Sequence, residues 1–110
     1  MKITDESMAK AFGWVRVEWR KTAHGAMRLS GIDPKLKGKT PYNVPEFTTS
    51  LDAITGEIEA RGLSWTISTD DSGERNGYWA QVGGIDSQQF AATAPLALCA
   101  ATLAYFKVKP

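Results

Sequence analysis

The chain has 110 residues and a mass of 12.0 kDa, is 43% hydrophobic and 23% charged, and suits one hydrophobic core, so a single domain over residues 1–110 is expected. Thirteen Lys+Arg against twelve Asp+Glu give a net charge of +1, which excludes a highly charged disordered chain, and no apolar run approaches the ~20 residues that span a bilayer. The lone Cys99 excludes an internal disulfide and a multi-cysteine zinc site, and the acid-bearing N-terminus lacks the apolar stretch of a secretory signal, so a cytoplasmic protein is expected.

The first element is a short helix from about Asp5 to Phe12. Thr4 or Asp5 caps it, Asp5 and Glu6 suit the positive end of its dipole, and Gly13 stops it. From Trp14 to Arg20 the period changes to two. Val15, Val17 and Trp19 fall on one face of a strand, and Trp14, Arg16, Glu18 and Arg20 on the other.

Residues 22–46 hold Gly25, Gly31, Pro34, Gly38, Pro41 and Pro45 and no sustained period, and they read as a long irregular basic loop. A short strand near Ala26–Leu29 or Pro41–Val44 would extend the sheet at its edge, where proline is tolerated.

Thr48, Thr49 and Ser50 open a second helix. Leu51, Ile54 and Ile58 form its apolar stripe, Asp52, Glu57, Glu59 and Arg61 lie off it, and Gly62 ends it. Leu63–Thr69 alternates strictly, residues 70–77 form a turn cluster, and Tyr78–Val82 is a second alternating run, together an antiparallel hairpin. Thr93 caps the last helix, which runs to Phe106 with Pro95 in its first turn. This helix is apolar nearly all round, so it is either the central packing helix or a subunit interface. The fold class expected is α+β, with a small, largely antiparallel sheet of three or four strands layered between helices in the order α-β-α-β-β-α.

The residues offer little chemistry. His24 is the one histidine and sits beside Gly25 in the irregular segment, where a solvent-facing role outweighs a catalytic one. Cys99 lies within the apolar helix, where burial suppresses thiol reactivity and core filling is the expected role. Asp70, Asp71 and Glu74 resemble a calcium loop in outline but lack its ligand spacing. Neither a phosphate-binding loop nor a dinucleotide fingerprint is present. A non-enzymatic protein without cofactor or metal is therefore expected.

Binding is the better-supported class. Residues 10–39 carry eight cations and two acids, and residues 40–110 four cations and eight acids. Such a field steers an anionic partner or supports self-association, although solvated surface has the same composition. Arg16, Arg20, Arg28, Lys35, Lys37 and Lys39 are the candidate cations. Trp14 and Trp79, out of phase with the aliphatic faces of their strands, are candidate stacking platforms if the sheet is open, and second-face core if it is covered.

Between Val44 and Phe106, the runs Val44-Pro45-Glu46-Phe47-Thr48-Thr49-Ser50-Leu51-Asp52-Ala53-Ile54, Gly77-Tyr78-Trp79-Ala80 and Phe90-Ala91-Ala92-Thr93-Ala94-Pro95-Leu96-Ala97-Leu98-Cys99-Ala100-Ala101-Thr102-Leu103 resemble the phage ABA-sandwich domain family. Its pattern is a "VP-x-[FY]-[ST]-T" helix start and a "[ST]-A-P-x-A-[IL]-C-x-A-x-L" terminal helix, and the matches are spread over a little over half of the chain. The resemblance implies a helix/sheet/helix sandwich of phage or prophage origin. The matched positions are caps, turns and core residues, and residues 22–43 have no counterpart.

The function expected is a phage accessory protein that binds a host protein or anionic ligand, such as a defence protein or a nucleotide signal, in the host cytoplasm. The alternatives are a nucleic-acid-binding module, or an assembly protein that forms homo-oligomers through its last helix.

Overall fold

A computed structural model describes residues 3–36, 38, 40–69 and 76–108. The protein is α+β, and its elements run α1 (Asp5–Ala11), β1 (Val15–Lys21), β2 (Met27–Ile32), β3 (Tyr42–Asn43), α2 (Leu51–Ala60), β4 (Trp65–Thr69), β5 (Tyr78–Val82), β6 (Gln89–Ala91) and α3 (Ala94–Val108). The strands form two antiparallel three-stranded sheets, β1-β2-β3 and β4-β5-β6, rather than the one sheet expected. The chain divides into two compact units, Thr4–Pro45 and Glu46–Pro110, the latter with Met1–Ile3.

In the unit Thr4–Pro45, α1 is held by a capping box. Thr4 Oγ1 accepts from the Ser7 amide at 3.0 Å, and Ser7 Oγ accepts from the Thr4 amide at 2.9 Å. Its C-terminus closes through Gly13 at φ +92°, with Gly13 N–H donating to Lys10 O and Trp14 N–H to Ala9 O, each at 3.0 Å. Two turns of helix are marginal in water, and Met8, Ala9 and Phe12 supply the burial that fixes this one. Residues 22–46 are more regular than expected, because they hold all of β2 and β3. β3 is the edge strand beside which both Pro41 and Pro45 are tolerated.

In the unit Glu46–Pro110, Ser50 caps α2 by accepting from the Ala53 amide. The helix ends in the same closure as α1, with Gly62 N–H to Glu59 O and Leu63 N–H to Ile58 O. Ile54 and Ile58 are fully buried, but Leu51 at the head of the expected stripe is 40% exposed. Glu57, expected on the polar face, is buried instead, with Arg61 Nε 3.5 Å from its Oε1. The Arg61 guanidinium in turn stands 5.7 Å from the centre of the Phe106 ring on α3, so it links the two helices.

Helix α3 packs across β4, β5 and β6 and against α2. Ala97, Leu98, Cys99 and Ala101 are fully buried, which makes α3 the central helix of its unit. Thr93 caps it, as its position before the apolar run implies. Ala80 and Val82 of β5 are buried, whereas Thr66 and Ser68 on the opposite face of the sheet are exposed.

The tight passage from β5 to β6 is tied by Ser87. Its hydroxyl accepts from the Val82 amide at 2.7 Å and lies 2.7 Å from Val82 O, to which it donates. Ser87→Ala leaves the buried Val82 N–H without an acceptor and is expected to cost about 1–3 kcal/mol, read as a lowered denaturant midpoint at unchanged m.

Candidate binding surfaces

Trp14, just before β1, and Trp19 within it differ in exposure. Val15 pairs with Ile32 and Glu18 with Ser30, so Arg16 and Val17 together stand opposite Gly31 alone. This is a β-bulge with Arg16 at φ +55°, in the left-handed region that non-glycine residues rarely occupy. A side chain on Gly31 would begin 3.0 Å from Val17 Cγ2 and 3.1 Å from Val15 O, so the glycine lets the bulge close. One extra residue shifts every later side chain to the other face.

Val15 therefore shares a face with Ile32, and Trp19 shares the opposite one with Leu29, instead of both lining a single apolar face. Trp14, expected as a possible stacking platform, is 5% exposed, and its ring is not open to a ligand. Trp19 is 59% exposed.

The register places Trp19, Lys21, Met27, Leu29 and Tyr42 on one face of the β1-β2-β3 sheet. Met27 and Tyr42 are also open, at 56% and 50%, whereas Leu29, the partner of Trp19, is buried. The reverse face carries Glu18, Arg20, Arg28 and Ser30. There Arg20 is engaged within the fold. It donates to Ser30 Oγ at 2.6 Å and to Arg16 O at 3.2 Å, and its Nη2 lies 2.9 Å from Glu18 Oε1. Arg20 is thus a strut of the sheet before it is a ligand contact.

Arg16, Lys21, Arg28 and Lys35 are exposed. Asp33 accepts from the Lys35 amide at 2.9 Å and lies 3.9 Å from its ammonium, fixing the start of the β2–β3 connection. Lys37 and Lys39 lie outside the described residues.

Trp79 belongs to the outer face of the other sheet, beside Thr66, Ser68, Gln81 and Phe90. It is half-buried, with its ring tilted 59° to Phe90 at a centroid distance of 5.3 Å. Thr66, Ser68, Trp79, Gln81 and Gln88 line a shallow depression of about 70 Å³, too small to enclose a drug-sized ligand. The candidate cations and Trp14 belong to Thr4–Pro45, and Trp79 to Glu46–Pro110.

No protein-family model, curated protein or solved structure matches this chain. The remaining reactive groups sit as follows. His24 is exposed in the β1–β2 turn. Cys99 is fully buried with its Sγ 3.2 Å from Phe47 O, to which the thiol donates. Among the described residues no three His, Cys, Asp or Glu side chains gather as a metal site, and Asp70, Asp71 and Glu74 lie outside the described residues. No described helix is long and apolar enough to cross a membrane. On α3, Leu96, Ala100 and Leu103, at i, i+4 and i+7, are half-buried.

Trp19, Met27 and Tyr42 lie outside the candidate set that the sequence offered. The one signal for them was Gly31, a glycine inside a strand, which marks either a bulge or a close backbone approach.

Proposed function

We propose that this chain is a non-enzymatic binding protein that grips an anionic partner through Thr4–Pro45. The observation that carries the reading is charge segregation. That unit holds eight cations against four acids, and Arg16, Lys21, Arg28 and Lys35 stand open to solvent. An exposed basic surface attracts anions through a summed field and needs no shaped cavity to do so.

The resemblance to the phage ABA-sandwich family supports an accessory protein of a phage or prophage. Its partner would then be host-derived and met in the host cytoplasm, a defence protein or a nucleotide signal, with inhibition or sequestration as the outcome.

Heparin, a polyanion without bases, tests the grip itself. Joint replacement of Arg16, Arg28, Lys35, Lys37 and Lys39 by alanine is expected to abolish heparin retention at low salt while the melting temperature stays nearly unchanged. Arg20 is left in place because it braces Ser30 and Arg16 O. Undiminished retention by the fivefold variant would remove the reading, and so would failure of the natural chain to bind heparin at all.

A further inference from the structure

We infer that the exposed side chains Trp19, Met27 and Tyr42, which surround the buried Leu29 on one face of the β1-β2-β3 sheet, form a stacking surface for single-stranded nucleic acid, with Trp19 as its main platform. The inference rests on the anion-binding reading and names the partner class. It begins from what that face is made of. Trp19, Met27 and Tyr42 are three of the six large hydrophobic side chains left exposed among the described residues, and the register brings all three to the same side of one sheet. The face carries no acid: the nearest, Glu18, points to the reverse side, where it pairs with Arg20.

The cations lie at the ends of this aromatic strip. Lys21 stands on the same face beside the β1–β2 turn. Arg16 at the bulge and Lys35 in the β2–β3 connection stand at the other end of the strands. The six residues of β2 span ~20 Å, the length of about six stacked nucleotides at ~3.4 Å each. Exposed rings of Trp19 and Tyr42 on either side of the buried Leu29, with positive charge toward both ends of the strands, suit a strand whose bases stack on the rings and whose phosphates are held outside. Every base has a π-face, so such a surface is tolerant of sequence.

A duplex fits this arrangement poorly, because its bases are already stacked and Trp19 could meet only its backbone. A protein partner would also use Trp, Tyr and Met, but the absence of any acid on the face and the net charge of +4 on Thr4–Pro45 favour a polyanion.

The test is a fluorescence and anisotropy titration of the full chain with a short oligothymidine, its duplex with oligoadenosine, and heparin. Oligothymidine is expected to quench tryptophan emission, with log affinity falling against log salt by about 0.7 for each phosphate held. Trp19→Ala should weaken oligothymidine binding roughly 10- to 100-fold and leave heparin binding unchanged. Trp19→Phe should keep most of the affinity and lose the quench, which assigns the signal to this ring rather than to Trp14, Trp65 or Trp79. Trp19 is an exposed residue, so neither variant is expected to alter the far-ultraviolet circular dichroism.

Heparin binding without oligothymidine binding would overturn the stacking inference and leave the anion-binding reading standing. Oligothymidine binding indifferent to Trp19→Ala, or a duplex bound as tightly as the single strand, would also overturn it. Self-association abolished by Trp19→Ala, in a chain that ignores oligothymidine, would assign the face to a second copy instead.

Discussion

Gly83→Ala is expected to lower stability by about 3 kcal/mol or more, the sum of two separate penalties at one position. Gly83 adopts φ +74°, a conformation that costs an L side chain ~1–2 kcal/mol. An added Cβ would also fall onto the ring of Tyr105 on α3, so that ring must be displaced. The position is pinned from a third side, because Gly83 N–H donates to Ser64 O at 2.9 Å and extends the β4–β5 ladder. Thermal unfolding should show the change as a fall in midpoint of roughly 10–20 °C. Gly84→Ala is the control. A Cβ there meets nothing within 4 Å and its φ is not positive, so its midpoint should barely move. Equal shifts in the two variants would show that the Tyr105 contact and the Gly83 backbone conformation do not matter.

Gly77→Ala is expected to destabilise by about 2–4 kcal/mol through overpacking alone, since no positive φ is involved. Its Cβ would stand 2.5 Å from Ala91 O and 2.6 Å from Phe90 Cζ, so both the backbone and a side chain of β6 must move. β6 is a three-residue edge strand held by the pairs Tyr78–Ala91, Trp79–Phe90 and Ala80–Gln89, and displacing it opens that ladder. The loss should appear as faster hydrogen exchange at β6 amides and as altered Trp79 emission, because Phe90 is the neighbour of that ring. Native exchange rates in the variant would refute the close approach of the Gly77 backbone to β6.

The three helices, their caps and the β4–β5 hairpin could be read from local chemistry. Thr4, Ser50 and Thr93 each precede a helix and each caps it, and Gly13 and Gly62 each supply the left-handed residue that closes one. Strict alternation over Leu63–Thr69 and Tyr78–Val82 matched a sheet with one face buried. β6 escaped because three residues carry too little periodicity to distinguish a strand from a turn. β2 and β3 escaped in part because Gly31, Pro41 and Pro45 signal turns, while a bulge and an edge strand use the same residues.

The candidate site was harder to read. Its residue types were identified as cations and tryptophans, but which tryptophan faces solvent depends on the phase of β1, and that phase changes at Arg16. A bulge inserts its extra residue wherever the partner strand leaves room, and here the room is the missing side chain of Gly31, twelve or more residues away in the chain. Glu57 on α2 differs in kind: it stands at i+3 from Ile54 and so on the buried face, but its charge argued for the polar one.

Composition and local pattern were enough for the α+β class, the helix ends and the segregation of charge, because capping, backbone conformation and net charge involve groups close together in sequence. Only tertiary structure could divide the strands between two sheets, bury Trp14, expose Trp19 and set Arg20 as a strut. Each of these depends on the register between segments distant in sequence, and one residue of offset moves a side chain from one face of a sheet to the other.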